Sequence, residues 1–189
     1  MIRIGILGNI GSGKSYVAKN FGYPVFDADY EVSKLYKSNR AMFKKLNTEL
    51  PKYLKSFPIK KNEIIEAVLS NKNNLKKIIK IVHKEIRKKL NFFLKKNKDK
   101  KIVILDIPLL LENKINKKND ILVFVESKKS FVEKKLKKRL NFNPKIYRKF
   151  KKIQFSSHYK KKKSNYIIIN NFREKNVKNE IKNILYKIL

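Results

Sequence analysis

Short, nearly uninterrupted apolar runs alternate along this chain with longer stretches in which apolar residues recur every three or four positions. Such runs, when they end at turn or acidic residues, are typical of buried parallel strands, and the periodic stretches are typical of amphipathic helices. The pattern therefore predicts an α/β fold in which a parallel five-stranded sheet is covered by helices on both faces, a three-layer α/β/α arrangement. The five runs are IRIGIL (2–7), VFD after Pro24, KIVILDIP (101–108), DILVFVES (120–127) and NYIIINN (165–171).

Between the second and third runs the pattern is helical from about 30 to 98, with breaks near Pro51 and Pro58 and N-caps expected at Asn62 and Asn71. A basic stretch from about 139 to 163, interrupted by Pro144, differs from its surroundings and is interpreted as a mobile flap. We expect a single domain over residues 1–189, with a helical insertion at about 30–98 and a lid at about 139–163.

Composition narrows the class of protein. At 189 residues with 42% hydrophobic content, the chain is long enough to bury one core, and without cysteine it has no disulfide or thiolate metal site. No apolar stretch approaches the roughly 18 residues of a membrane span, so we expect a cytoplasmic protein that does not bind membranes. The formal charge of +34 suggests a polyanionic partner. Because the excess is mostly Lys, spread beside abundant Asn and Ile, it is interpreted as compositional bias rather than a specific nucleic-acid surface.

Glycine is rare, with 5 in the chain, yet Gly5, Gly8, Gly11 and Gly13 stand together at the end of the first run. The segment GNIGSGKS (8–15) has the spacing GxxxxGK[ST] between a predicted strand and a predicted helix, as a phosphate-binding P-loop requires. Glycine lets the loop curl so that its N–H groups face a phosphate. The side chain of Lys14 would reach the β- and γ-phosphates of ATP, and the Ser15 hydroxyl would bind Mg²⁺.

Acidic residues follow two of the neighbouring predicted strands. Asp27 and Asp29 are expected at the end of the second strand with their carboxylates on the same side, and Asp106 ends the third. Either of the first two could instead be the N-cap of the next helix. Asp29 is the expected acid that positions an acceptor hydroxyl, and Asp106 an expected Mg²⁺ ligand, although Asp27 could be the main metal partner.

Several segments, taken in order, resemble the dephospho-CoA kinase family over essentially the whole chain. They are GNIGSGKS, FDAD, VHKEIR, DIPLLLEN, a lid with KKRL and a later Gln, and NYIIINN. The resemblance implies transfer of the ATP γ-phosphoryl group to the ribose 3′-hydroxyl of dephospho-CoA, the last step of coenzyme A synthesis. It also implies a P-loop kinase fold, ATP and Mg²⁺ as cofactors, and a monomer with no specific nucleic-acid partner.

Carried over residue by residue, the resemblance implies three catalytic residues: Asp29 facing the acceptor hydroxyl, with Lys14 and Arg139 stabilising charge on the transferring phosphoryl group. Gln154 and Lys160 match later lid positions, and Glu112 lies beyond the acceptor wall. The expected nucleotide-binding residues are Asn9, Ile10, Gly11, Ser12, Gly13, Lys14, Ser15, Tyr16 and Asn170. The expected acceptor-binding residues are Asp29, His83, Arg87, Pro108, Leu109 and Leu110.

The chain departs from the family pattern at a few positions. Asn9 stands where a second glycine is usual, Lys84 follows His83 in place of proline, and Phe172 replaces the glycine of a terminal turn. Asn165 replaces an acid before the last strand, and Leu140 and Asn141 stand where an acid usually follows the lid arginine. The alternatives left open are another small-molecule or nucleoside monophosphate kinase, a nucleic-acid-binding P-loop ATPase, and a scaffold that binds ATP without turnover.

Overall fold

The structure, a computed structural model, describes residues 1–139 and 142–189 and has an α/β fold with nine helices and five strands in that part of the chain. The predicted fold class is confirmed. The strands are β1 (Ile2–Gly8), β2 (Val25–Asp27), β3 (Ile102–Asp106), β4 (Ile121–Glu126) and β5 (Tyr166–Ile169). The helices are α1 (Lys14–Asn20), α2 (Ala28–Ser38), α3 (Arg40–Glu49), α4 (Lys61–Ser70), α5 (Lys72–Lys96), α6 (Lys129–Lys137), α7 (Pro144–Ile153), α8 (Ser157–Lys163) and α9 (Glu174–Ile188).

The five strands form one parallel sheet in the order β2-β3-β1-β4-β5. β1 lies at the centre and pairs with both β3 and β4, with Gly5 opposite Leu105 on one side and Leu122 on the other. Because all strands run the same way, their carboxyl ends lie along one edge of the sheet, where ligands bind in open α/β sheets.

The two faces of β1 bury different side chains because successive residues of a strand point to opposite faces. Ile4 and Ile6 are fully buried in a core cluster that includes Val17 of α1 and Val177 of α9. On the other face Gly5 leaves room for the Leu110 side chain, since a Cβ at Gly5 would stand 2.5 Å from Leu110 Cδ2. The first strand is thus fixed from both sides before it reaches the glycine-rich loop.

The chain forms two compact units. The first combines Met1–Asp27 with Asn97–Leu189 and contains the sheet, and the second is Ala28–Lys96. In the second unit α5 packs against α2, α3 and α4. The buried face of α5 carries Leu75, Ile78, Val82, Ile86 and Leu90, at the three- and four-residue spacing of an amphipathic helix.

Of the two predicted N-caps in this helical unit, one is confirmed and one is wrong. The Asn71 side chain accepts a hydrogen bond from the N–H of Asn73 at 2.9 Å, at the start of α5. Asn62 lies inside α4, which begins at Lys61. The N-cap position of α4 is Lys60, which makes no side-chain cap hydrogen bond. In the first turn of α4 the Glu63 carboxylate accepts hydrogen bonds from the N–H and hydroxyl of Ser56 at 3.1 and 2.9 Å, and this joins the helix to the preceding loop.

The predicted lid region contains α7 and α8. Leu140 and Asn141, two of its positions, lie outside the described residues. Within the described part of the chain, no helix combines the length and the apolar character needed to cross a membrane.

Candidate active site

The P-loop, residues 8–15, connects the central strand β1 to α1. Gly11 and Gly13 have φ angles of 85° and 89°, which residues other than glycine rarely adopt. A Cβ at Gly13 would also overlap the side-chain amide of Asn170. The loop therefore turns tightly into the N-terminus of α1, where unpaired N–H groups and the helix dipole favour an anion. Asn9 and Ile10 lie in this loop, and Tyr16 lies in the first turn of α1.

Lys14 opens α1 and extends back along the loop. Its ammonium donates hydrogen bonds to the carbonyl oxygens of Asn9 at 2.9 Å and Gly8 at 3.3 Å. The positive charge is thereby held at the concave side of the loop, where it acts on the carboxylate of Asp106 as well. This position suits a cation that contacts the terminal phosphates of a bound nucleotide.

A group of oxygen atoms lies next to Lys14, at the carboxyl ends of β2 and β3. Asp106 is opposite Asp27 in the register of these strands, so their side chains lie on the same face. The Ser15 hydroxyl hydrogen-bonds the Asp106 carboxylate. Burial raises the pKa of Asp106, and the nearby Asp27 charge does so too, whereas Ser15 and the charges of Lys14 and Lys19 lower it. Asp106 is only 4% exposed.

The main chain of the P-loop is supported by two side chains that contact Ser12. Asn170, at the end of β5 and fully buried, donates its amide N–H to the Ser12 carbonyl at 2.9 Å and accepts the N–H of Phe172. Ser127, after β4, donates its hydroxyl to the same carbonyl at 2.9 Å. Asn170 was expected at the site, and Ser127 was missed because a lone Ser after a strand carries no sequence signal.

The expected acceptor-side residues on helices belong to the helical unit. Asp29 was expected at a strand end but lies in the first turn of α2, because this helix begins at Ala28 directly after β2. Strand alternation therefore does not relate its carboxylate to that of Asp27. His83 and Arg87 lie one turn apart on α5. Burial lowers the pKa of His83, and the Arg87 charge lowers it further, so the imidazole is neutral at pH 7.

The turn after β3 contains the expected apolar wall. Pro108 and Leu109 are half-buried, whereas Leu110 is fully buried against Gly5, so the Leu110 side chain fills the core in this structure. Glu112 follows in the same turn and contacts the lid region, where its carboxylate accepts the N–H of Phe155 at 2.8 Å. Gln154 donates its side-chain N–H to the Pro108 carbonyl at 3.3 Å.

Arg139, the expected lid arginine, is exposed after the end of α6. A cavity of about 580 Å³ lies beside the P-loop in the sheet-containing unit. Its walls come from the loop, α6, α7 and the start of α8, and include Ile10, Ser12, Val132, Leu136, Tyr147 and Ser157.

The comparisons with known proteins agree with one another. The family model described as dephospho-CoA kinase matches residues 2–176. A dephospho-CoA kinase of Wolbachia pipientis is 32% identical over 187 residues, which cover 96% of this chain and 95% of the relative. A solved structure of a Thermus thermophilus protein superposes with a TM-score of 0.81 at 25% identity, covering 100% of this chain and 98% of that one.

A dephospho-CoA kinase structure from Campylobacter jejuni has a TM-score of 0.63 at 22% identity, with 98% and 96% of the two chains covered, and supports the fold. The family match spans β1 to the start of α9 and includes the P-loop, both strand-end carboxylates and the turn after β3. The chain belongs to the dephospho-CoA kinase family.

Proposed function

We propose that this protein transfers the γ-phosphoryl group of ATP to the 3′-hydroxyl of dephospho-CoA, and that the residues described above carry the reaction. The observation that carries the proposal is the cluster of Lys14, Ser15, Asp27 and Asp106 at one edge of the sheet. It combines a phosphate-binding cation with oxygen ligands, as phosphoryl transfer requires. We also propose that the protein is cytoplasmic and monomeric.

On the nucleotide side, the N–H groups of residues 11–15 and the Lys14 ammonium would bind the phosphates of ATP. Asn9, Ile10 and Tyr16 flank this position, and Asn170 supports it through Ser12. Arg139 would stabilise charge on the transferring group, because a guanidinium can bridge two phosphate oxygens. Asn170 would thus also position the loop that binds the nucleotide.

The oxygen cluster fits Mg²⁺. Mg²⁺ in such enzymes takes one or two protein oxygens together with phosphate oxygens and water. Ser15 and Asp106 would hold it, with Asp27 beside them, and it would supply charge neutralisation at the phosphates. In residues 1–139 and 142–189 no group of three or more His, Cys, Asp or Glu side chains could hold a metal alone. Because ionisation of the buried Asp106 carboxylate costs free energy, a bound cation would stabilise the charged form of this side chain.

On the acceptor side, Asp29 would orient the 3′-hydroxyl for in-line attack and accept its proton. A carboxylate in the first turn of α2 interacts favourably with the helix dipole, and Asp29 has this position. Arg87 would bind an acceptor phosphate, His83 would line the same surface as a neutral imidazole, and Pro108 with Leu109 would provide apolar contacts.

The test is ADP release with dephospho-CoA and with a panel of nucleoside monophosphates, using the native protein and Asp29→Asn. We expect turnover with dephospho-CoA and a loss of about 10²-fold or more in kcat for Asp29→Asn, because a positioned proton acceptor is removed. The ATP affinity of the variant, measured without acceptor, should remain unchanged.

Glu31→Gln is the matched control, because Glu31 is the other acid in the first turn of α2. It should retain near-native kcat. Turnover with a nucleoside monophosphate alone, or ATP hydrolysis that depends on DNA or RNA, would contradict the proposal that dephospho-CoA is the acceptor. Full activity of Asp29→Asn would show that Asp29 is not the proton acceptor. It would not contradict dephospho-CoA as the substrate.

A further inference from the structure

The structure places a buried ion pair between the turn after β3 and α8. Lys160 Nζ lies 3.0 Å from Glu112 Oε1, and their side chains are 2% and 8% exposed. Apart from this ionic contact, the ammonium makes no hydrogen bond within the described residues, and Glu112 Oε2 likewise accepts none there. Each charge therefore depends on the other for compensation in a site that excludes water.

The same carboxylate also binds the backbone just before α8. Glu112 Oε1 accepts the N–H of Phe155 at 2.8 Å, and Gln154 is bonded to the Pro108 carbonyl. The segment from Gln154 to Lys160 is thus held to the turn after β3 at three points. α8 additionally packs against β1 and β4.

From α8 the contacts continue into the P-loop. Asn9 Nδ2 donates to the Ser157 hydroxyl at 2.8 Å, and this hydroxyl lies 3.1 Å from Asn9 Oδ1. The carbonyl of Asn9 in turn accepts a hydrogen bond from Lys14. A glycine, which is usual in the family at the position of Asn9, has no side chain for this contact. The buried pair is therefore linked to the Lys14 ammonium through α8 and Asn9.

The neighbouring helix α7 differs from α8 in burial, since α8 carries the buried Lys160. None of the residues of α7, all of which the structure describes, is buried, and this helix borders the 580 Å³ cavity. α8 and α7 therefore differ in how firmly they are held, although both lie in the predicted lid.

We propose that Glu112 and Lys160 are positioning residues that make α8 a fixed part of the nucleotide-binding unit and, through Ser157 and Asn9, set the position of the P-loop. Among the described helices of the lid, motion is then confined to α7. The proposal rests on the proposed function for its relevance to catalysis, but its test requires only ATP binding.

The first experiment measures the dissociation constant of ATP, without acceptor, for Lys160→Met, Glu112→Gln and the double variant. Each single change leaves one buried charge without its partner, so we expect ATP to bind about tenfold more weakly. The double variant is neutral and keeps an acceptor for the Phe155 N–H, so its affinity should return to within about threefold of native. Lys161→Met is the matched control on the same helix, because Lys161 pairs with Glu126 at 2.8 Å with both side chains well exposed. It should bind ATP as the native protein does.

The second experiment repeats Lys160→Met in an Asn9→Gly background. If the pair acts through Asn9, the tenfold effect should shrink to about twofold or less, whereas the loss of thermal stability should be the same in both backgrounds. A merely structural pair would change stability without this coupling. An unchanged ATP affinity in folded Lys160→Met, or an equal effect in both backgrounds, overturns the proposal.

Hydrogen exchange on the native protein provides a readout that needs no variant to fold. Amides of α8 should exchange about tenfold or more slowly than those of α7. Equal exchange in the two helices overturns the fixed position of α8. A native protein that binds ATP but does not phosphorylate dephospho-CoA would refute the proposed function and leave these comparisons valid.

Discussion

At the scale of single residues, two buried aspartates of the sheet-containing unit differ in how well their negative charge is compensated. Asp120 is compensated, since Arg3 Nη2 lies 2.9 Å from its carboxylate and the Lys117 N–H donates to it. Asp106 is 4% exposed, and burial is the largest influence on its pKa, which is raised in spite of Lys14 and Ser15. An ionised Asp106 therefore costs folding free energy that a bound cation can offset, as is common at functional sites.

The first residue-scale prediction concerns Asp106→Asn. We expect activity to fall by about 10²-fold or more, because the proposed metal ligand is lost. The melting temperature at pH 7 should equal or exceed the native value. When folding raises the pKa of an acid, the folded protein binds more protons than the unfolded chain between the two pKa values. The free energy of unfolding of the native protein therefore falls as the pH rises from the ordinary pKa of Asp to the raised pKa of Asp106. The advantage of Asp106→Asn should thus disappear at acid pH.

Asp120→Asn is the contrasting control for this measurement by thermal unfolding across pH. Removing its charge leaves Arg3 buried without a counter-ion, which costs about 3–5 kcal/mol, and the melting temperature should fall by roughly 10 °C. A lower melting temperature for Asp106→Asn at pH 7 would contradict the interpretation that the charge of Asp106 is only partly compensated in the folded protein.

The sequence predicts the residues at this site better than it predicts their geometry. Lys14 and Ser15 follow from a local motif whose spacing dictates a loop and a helix start. Asp29 was assigned to a strand end, because an acid two residues after Asp27 fits strand alternation as well as it fits a helix start. The pairing of Asp27 with Asp106 depends on strand order and register, which are set by contacts between distant parts of the chain.

At the scale of elements, β5 is connected to the P-loop by one side chain. Asn170 ends this edge strand, bonds the Ser12 carbonyl, and stands where a Cβ at Gly13 would have to be. Its own N–H is bonded to the Glu126 carbonyl at 2.7 Å, which fixes it to β4. The position of the loop thus depends on the last strand of the sheet.

Asn170→Ala tests this connection. The loss of two buried hydrogen bonds should lower stability by about 1–3 kcal/mol. It should also raise the KM for ATP by roughly threefold to tenfold, with a smaller change in kcat, because the loop is displaced while Lys14 and Asp29 remain. Asn171→Ala is the matched control, since the half-buried Asn171 side chain accepts the N–H of Arg173 in the following turn. Steady-state kinetics and thermal unfolding of both variants provide the measurement, and an equal rise in KM would argue against a specific role for Asn170.

The elements themselves were predictable where their signal is local. All five apolar runs are strands, because burial on both sides of a sheet imposes a continuous apolar pattern on the sequence. The predicted helical stretch contains α5, whose buried residues recur every three or four positions because only one side of the helix is buried. The sequence misplaces the start of α4, because the N-cap residue Lys60 makes no side-chain cap hydrogen bond and so carries no capping signal. The sequence does not predict the pairing of Glu112 with Lys160, because Lys160 is one of four consecutive lysines and nothing in the sequence distinguishes it from the others.

At the scale of the whole molecule, the formal charge of +34 is the dominant property. Exposed charges of one sign repel each other, which disfavours the compact state, and they attract polyanions such as ATP and dephospho-CoA. Salt weakens both effects, since the Debye length falls from about 30 Å at 10 mM to about 10 Å at 100 mM.

Over this range of NaCl we therefore expect the melting temperature to rise and kcat/KM for MgATP to fall several-fold. Thermal unfolding and initial rates at constant Mg²⁺ measure the two trends, and the same series in potassium glutamate controls for chloride binding. Tight nucleic-acid binding that persists at 150 mM salt and stimulates hydrolysis would instead identify a dedicated nucleic-acid partner.

The sheet-containing unit is assembled from two separated parts of the chain, Met1–Asp27 and Asn97–Leu189. When Lys96 has left the ribosome, the helical unit is complete in sequence and can form its mostly local contacts. At that moment only β1 and β2 of the sheet have been made, and these two strands are not neighbours, because β3 lies between them. The apolar residues of β1 thus have no neighbouring strand until β3 emerges, and an unpaired strand of this kind favours aggregation.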